Sequence, residues 1–113
     1  MLKPNKLANK NFLSSLDMST DEVFHIFELA KNFKNNRINV DISNKVLGLI
    51  FDKSSTRTRV SFQVAMSRLG GTTIDLNPST SQIGRGEPIK DTARVLSRYC
   101  DVIAIRTFDH SDL

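Results

Sequence analysis

Lys45-Val46-Leu47-Gly48-Leu49-Ile50-Phe51, followed by Asp52-Lys53-Ser54-Ser55-Thr56-Arg57-Thr58-Arg59, is the stretch whose reading decides the fold. Its first half is a short apolar run rich in β-formers, which reads as a strand buried on both faces, as parallel strands are. Its second half turns abruptly polar. Helical periodicity then resumes at Val60, Val64, Ala65 and Leu69, and Gly70-Gly71 supplies a C-terminal stop. The pattern is strand, polar turn, helix.

Outward from that unit the alternation continues. Thr72-Thr73-Ile74-Asp75-Leu76 reads as a second strand, and residues 77–87, NPSTSQIGRGE, as a loop of small and polar residues. Pro88 suits the first turn of a third helix, whose inner face is expected to carry Ile89, Ala93, Leu96 and Tyr99. Val102-Ile103-Ala104-Ile105 reads as a third strand. Upstream, Ser19 and Glu22 form a capping-box pattern. Val23, Ile26, Phe27, Ala30 and Phe33 then recur at helical spacing over about 20–35, a stripe expected to serve as core or as an interdomain contact. The order is helix, then β-α-β-α-β. The fold class is therefore α/β, a parallel sheet with helices on both faces and right-handed crossovers. Three strands make a thin sheet for such a fold, so a partial domain of a longer enzyme is expected.

Composition narrows the class further. The 113 residues suffice for one domain, and 39% hydrophobic with 25% charged residues is a globular balance. No apolar run approaches the ~20 residues of a membrane span, and the N-terminus has no signal-peptide core. A single cysteine, Cys100, excludes an intrachain disulfide and multi-cysteine zinc sites, in keeping with a cytoplasmic setting. Sixteen basic against twelve acidic residues give a net charge of +4, which suits an anionic partner. Between Asp52 and Asp75 there is no acidic residue, while Lys53, Arg57, Arg59 and Arg68 lie there.

Three segments carry chemistry. Ser54–Arg59 sits where a strand passes into a helix, the position at which open α/β sheets bind ligands. A helix N-terminus there offers unpaired N–H groups and a positive dipole end. Ser55, Thr56 and Thr58 add hydroxyls, and Arg57 and Arg59 add guanidinium forks matched to phosphate. The glycines and GK[ST] ending of a P-loop are absent. The bland alternative is that the hydroxyls merely cap the helix and the arginines are solvated. The second segment is the loop Ser79–Glu87, a lid, a subunit contact or an ordinary surface loop. The third is Arg106, which ends the third strand on the same edge or else faces solvent. His25 reads as a surface or packing histidine, Cys100 as a small core residue, and Asp109-His110-Ser111-Asp112 as a weak metal cluster.

Phe51–Phe62, FDKSSTRTRVSF, resembles the carbamoyl-phosphate motif of the aspartate/ornithine carbamoyltransferases. Residues 82–99, QIGRGEPIKDTARVLSRY, are similar to the ornithine branch, with Gln82 and an Arg-Gly-Glu where the aspartate branch usually carries a Ser-Ser pair and Lys-Gly-Glu. The resemblance runs from about residue 10 to the end. It implies that 1–113 is a carbamoyl-phosphate-binding domain, incomplete and without its ornithine-binding domain. It further implies that Ser55, Thr56, Arg57 and Thr58 hold the phosphate, that Arg106 reaches phosphate and carbonyl oxygen, and that Gln82 acts from a neighbouring subunit of a homotrimer. Arg57 and Arg106 would be catalytic, Glu87 would orient Arg57, and Arg59 would be structural. The implied reaction is carbamoyl transfer to the δ-amine of L-ornithine, giving L-citrulline and phosphate in arginine biosynthesis. It needs no cofactor and no metal.

Gln63 departs from the glutamate often found in the family, and the family's second-substrate segments lie beyond this sequence. The piece alone is therefore expected to be inactive. Two readings compete with the ornithine enzyme: a sister enzyme using aspartate or another amine, and a noncatalytic phosphate- or nucleic-acid-binding module. One tyrosine, no tryptophan and phenylalanines mainly at core spacings disfavour nucleic acid as a partner, and nothing suggests a membrane.

Overall fold

The computed structural model describes residues 11–51, 55–76 and 89–106. The chain divides into two compact units, 1–39 and 40–113.

The first unit holds a short 3-10 turn, Ser15–Asp17, and helix α1, Thr20–Lys34. The capping box forms as expected. Ser19 Oγ accepts from the Glu22 N–H at 3.1 Å, and Glu22 Oε1 accepts from the Ser19 N–H at 3.0 Å. Two N–H groups that the helix itself cannot satisfy are thereby paired. The apolar stripe does not form a core within the described chain. Ile26, Phe27 and Phe33 are exposed, Phe27 by 62%. Phe12, Met18, Val23, Ile26 and Phe27 instead line an apolar cleft of about 430 Å³.

The second unit is the βαβαβ module. Strands β1, Val46–Phe51, β2, Thr72–Leu76, and β3, Val102–Arg106, are joined through helices α2, Thr56–Arg68, and α3, Ile89–Leu96. All pairings are parallel, in the order β2-β1-β3. β1 is central, and Leu47, Leu49, Ile50 and Phe51 are buried, as a strand covered on both faces requires. The chain steps one way from β1 to β2 and the other way from β2 to β3. Right-handed crossovers therefore put α2 and α3 on opposite faces. Leu47, Leu49 and Phe51 form the core on the α2 face, with Met66 and Ala104 against them.

Helix α2 is turned differently from the sequence expectation. Val60 and Val64 are exposed, at 47% and 42%. The half-buried residues are Arg59, Gln63 and Met66, spaced at i, i+4 and i+7. Of these, Arg59 meets Asp75 on β2, with Nε 3.3 Å from Oδ1. On helix α3, Leu96 is half-buried as expected, together with Thr92, whereas Ala93 and, past the helix end, Tyr99 are exposed; the side chain of Ile89 lies outside the described residues. Leu69 caps α2, and Gly70 follows at φ +88°, the left-handed C-terminal position that glycine favours.

At the edge of the sheet where the strands begin, β1 and β3 are locked by one residue. Asp101 Oδ2 accepts from the Val46 N–H at 2.8 Å, and the Asp101 N–H donates to the Val46 carbonyl at 2.9 Å. Close by, Gly48 faces Cys100. A β-carbon on Gly48 would stand 3.0 Å from Cys100 Sγ and 3.6 Å from Ile103 Cγ1. Gly48→Val is therefore expected to lower stability by about 1–3 kcal/mol through overpacking, read as the urea unfolding midpoint. An unchanged midpoint would contradict this packing.

Candidate anion-binding site

Because all three strands are parallel, Phe51, Leu76 and Arg106 end them on one edge. Helix α2 starts on that edge, directly after β1. Its first three residues, Thr56, Arg57 and Thr58, are exposed. Their N–H groups precede the first intrahelical bond, which Arg59 makes from its N–H to the Ser55 carbonyl at 2.9 Å. The first turn of α2 contains no acidic residue. Donors that no intrahelical bond uses, the dipole and two exposed hydroxyls thus share one turn with the exposed guanidinium-bearing Arg57.

Ser55 is the helix N-cap, yet its side chain makes no capping bond. It is 8% exposed, and its Oγ accepts a hydrogen bond from Nη1 of Arg106. The sequence alternative in which the hydroxyl merely caps the helix is thereby replaced for Ser55 by a tie between strand β3 and the head of α2. The register explains it: Arg106 lies opposite Phe51, the last residue of β1. Nη1 uses one of the five N–H donors of the guanidinium. The residue as a whole is exposed.

Arg59 belongs to the same basic run but is placed otherwise. Its Nε lies 3.3 Å from Asp75 Oδ1, and its guanidinium carbon stands 5.7 Å from the centre of the Phe51 ring. Among the described residues the Nε–H finds no hydrogen-bond acceptor, so the contact with Asp75 is one of charge with charge. Phe51 in turn meets Phe62 edge-on, with centroids 6.4 Å apart. Arg59 is thus a packed, paired side chain beneath the edge. That a basic residue of the motif should face the sheet is not visible in charge or spacing. The signal that could have revealed it is Asp75, an acid in the middle of an otherwise apolar and hydroxyl-bearing strand.

Of the sequence candidates, Ser55, Thr56, Arg57, Thr58 and Arg106 come together on this edge. Gln82 and Glu87, the loop around them and the cluster Asp109–Asp112 lie outside the described residues. His25 lies on α1 in the other unit. Cys100 stands apart at the start of β3. Burial pushes its thiol pKa up, and the Asp101 carboxylate beside it adds to the rise.

A parallel α/β module with cationic donors gathered where the strands end defines a phosphate-binding class of domain. Comparison with known proteins specifies it. Residues 10–113 match the family model described as aspartate/ornithine carbamoyltransferase, carbamoyl-P binding domain, and the chain belongs to that family. It is 85% identical, over all 113 residues, to an ornithine carbamoyltransferase of Prochlorococcus marinus strain MIT 9312, and spans 37% of that protein. The crystal structure of ornithine carbamoyltransferase from Gloeobacter violaceus superposes at a TM-score of 0.78 with 46% identity, covering 90% of this chain and 32% of that one. The catalytic subunit of M. jannaschii aspartate transcarbamoylase superposes at a TM-score of 0.75 with 33% identity, covering 88% of this chain and 35% of that one. The chain therefore spans about a third of the length of the relatives it matches.

Two outcomes follow. Ser55→Ala is expected to lower the unfolding free energy by about 1.5 kcal/mol, the scale of a hydrogen bond to a charged group, as measured by urea unfolding. An unchanged stability would contradict the Arg106 tie. Cys100, with its pKa raised, carries less thiolate at neutral pH than an unhindered cysteine. Alkylation by iodoacetamide should be slower than that of a free cysteine and should quicken as pH rises. A rate at or above the free value would refute the assignment.

Proposed function

We propose that this chain is the carbamoyl-phosphate-binding part of an ornithine carbamoyltransferase. The observation that carries the reading is the Ser55–Arg59 motif at the head of α2, on the edge that Arg106 also reaches. The acceptor assignment is supported by 85% identity to a protein that bears the ornithine name and by the Gln82–Tyr99 segment. Ser55, Thr56, Arg57 and Thr58 would bind the phosphate, with Arg106 on the phosphate and the carbonyl oxygen. Gln82 would come from an adjacent subunit of a homotrimer. L-ornithine would bind through the remaining two-thirds of the longer protein. A cytoplasmic place in arginine biosynthesis accords with these assignments, and no described helix is long and apolar enough to cross a membrane.

The chemistry asks little of the protein beyond placement and charge. The δ-amine nitrogen forms a bond to the carbonyl carbon of carbamoyl phosphate. The tetrahedral intermediate puts negative charge on the former carbonyl oxygen. It collapses with loss of the C–O bond to phosphate, and the amine nitrogen gives up a proton. Arg106 is suited to the oxygen that gains charge. The α2 N–H groups and Arg57 are suited to the phosphate that leaves with the electron pair. Fixing both reactants in reach of one another supplies the rest.

The test is a product assay on the full-length protein that carries this chain. Carbamoyl phosphate is supplied with ornithine in one reaction and with aspartate in another. Citrulline from ornithine alone is expected. Carbamoyl-aspartate would keep the family and overturn the acceptor. Arg57→Ala and Arg106→Ala are each expected to cost about 100- to 1,000-fold in turnover, by the precedent of charge-stabilising donors. Near-normal turnover in either variant would remove that residue from the site.

A further inference from the structure

The geometry points to Asp75 as a positioning residue for the phosphate site, acting through Arg59. The inference rests on the carbamoyl-phosphate reading above and extends it to a residue outside the motif. Asp75 lies on β2 opposite Leu49, on the α2 face of the sheet. That face is otherwise built from Leu47, Leu49, Phe51, Met66 and Ala104. Asp75 is exposed at the border of that face, and the cation it meets there is Arg59, with Nε 3.3 Å from Oδ1.

Arg59 is the residue on which the head of α2 turns. Its N–H closes the first intrahelical bond on the Ser55 carbonyl at 2.9 Å, and its guanidinium stacks over Phe51 at 5.7 Å. Ser55 is held from the other side by Arg106 of β3. The first turn of α2 is therefore strapped to all three strands: to β2 through Asp75, to β1 through Phe51, and to β3 through Ser55. The donors that face the phosphate, at Thr56, Arg57 and Thr58, lie between Ser55 and Arg59. The Ser55 end of that short span is fixed by Arg106, itself assigned to the ligand, whereas the Arg59 end is fixed by Asp75 and Phe51, which do not need to touch it. Removing the Asp75 charge frees Arg59 to leave the sheet, and the span loses its lower anchor. It also places an uncommitted cation near the edge, where it can draw the phosphate out of register.

The experiment uses the full-length protein in the citrulline-forming assay, with KM for carbamoyl phosphate, KM for ornithine and kcat measured separately. Asp75→Asn, which keeps shape and removes charge, is expected to raise the carbamoyl phosphate KM about tenfold, within the ~100-fold that misplacement by an ångström can cost. The ornithine KM should stay as in the wild type, and Asp75→Glu should recover most of the loss. Arg59→Gln should resemble Asp75→Asn, and the double variant should be no worse than the poorer single one, because the two act as a unit. Should Asp75→Asn not accumulate as folded protein, Arg59→Lys carries the same test. It keeps the charge, loses the planar stack and should give an intermediate carbamoyl phosphate KM.

A lower melting temperature with an unchanged carbamoyl phosphate KM would make the pair merely structural and overturn the inference. Additive effects of the two substitutions would do the same. A wild-type protein that forms no product from carbamoyl phosphate would sink the parent reading instead. Unaffected variants of an active wild type would sink the positioning role alone.

Discussion

The burial of β1 is the constraint on which the rest of this chain depends. Its central place obliges a strand on each side and a helix over each face, because an uncovered Leu49 or Ile50 would forfeit most of the burial the unit possesses. Parallel partners need crossovers, and crossovers bring each helix back to start where a strand has ended. The edge that gathers Ser55, Arg57 and Arg106 is thus a consequence of how a six-residue apolar strand is buried. The two edges of the sheet have different tasks. Asp101 ties β1 to β3 where the strands begin, and leaves the far edge for the cations.

Charge is distributed on that edge with some economy. The first turn of α2 carries no acid to oppose an incoming anion. Of the basic residues nearby, Arg57 is left exposed, Arg106 commits one donor to Ser55, and Arg59 is withdrawn against Asp75 and Phe51. Like charges crowded on one turn repel each other. Giving one of them a carboxylate and an aromatic face below the edge relieves that repulsion and fixes the backbone between the others.

Much of this was legible in the sequence. The strands, the parallel α/β class, the capping box at Ser19 and the stop at Gly70 follow from local patterns that tertiary contacts had no reason to override. The gathering of Ser55 and Arg106 followed from topology, since residues that end parallel strands share an edge. Side-chain direction was less legible. Apolar periodicity placed Val60 and Val64 inward on α2, whereas Arg59, Gln63 and Met66 face the sheet. Partners on other strands, Asp75 for Arg59 and the β1 core for Met66, lie on that face, and no helical period can reveal them. Capping was an open alternative for Ser55 in the sequence, and only the arrival of Arg106 shows its hydroxyl in a different use. The phenylalanine stripe of α1 is regular enough to read as core, yet it is exposed in the described chain. Periodicity establishes that a face is apolar and leaves open what covers it.

The most direct measurement of the central claim is a crystal structure of the full-length protein with carbamoyl phosphate or inorganic phosphate bound. The account predicts the phosphate oxygens on the N–H groups of Thr56, Arg57 and Thr58, with the Arg106 guanidinium beside them and Arg59 still against Asp75. A phosphate held elsewhere, or one that draws Arg59 off Asp75 to serve as its principal ligand, would contradict it.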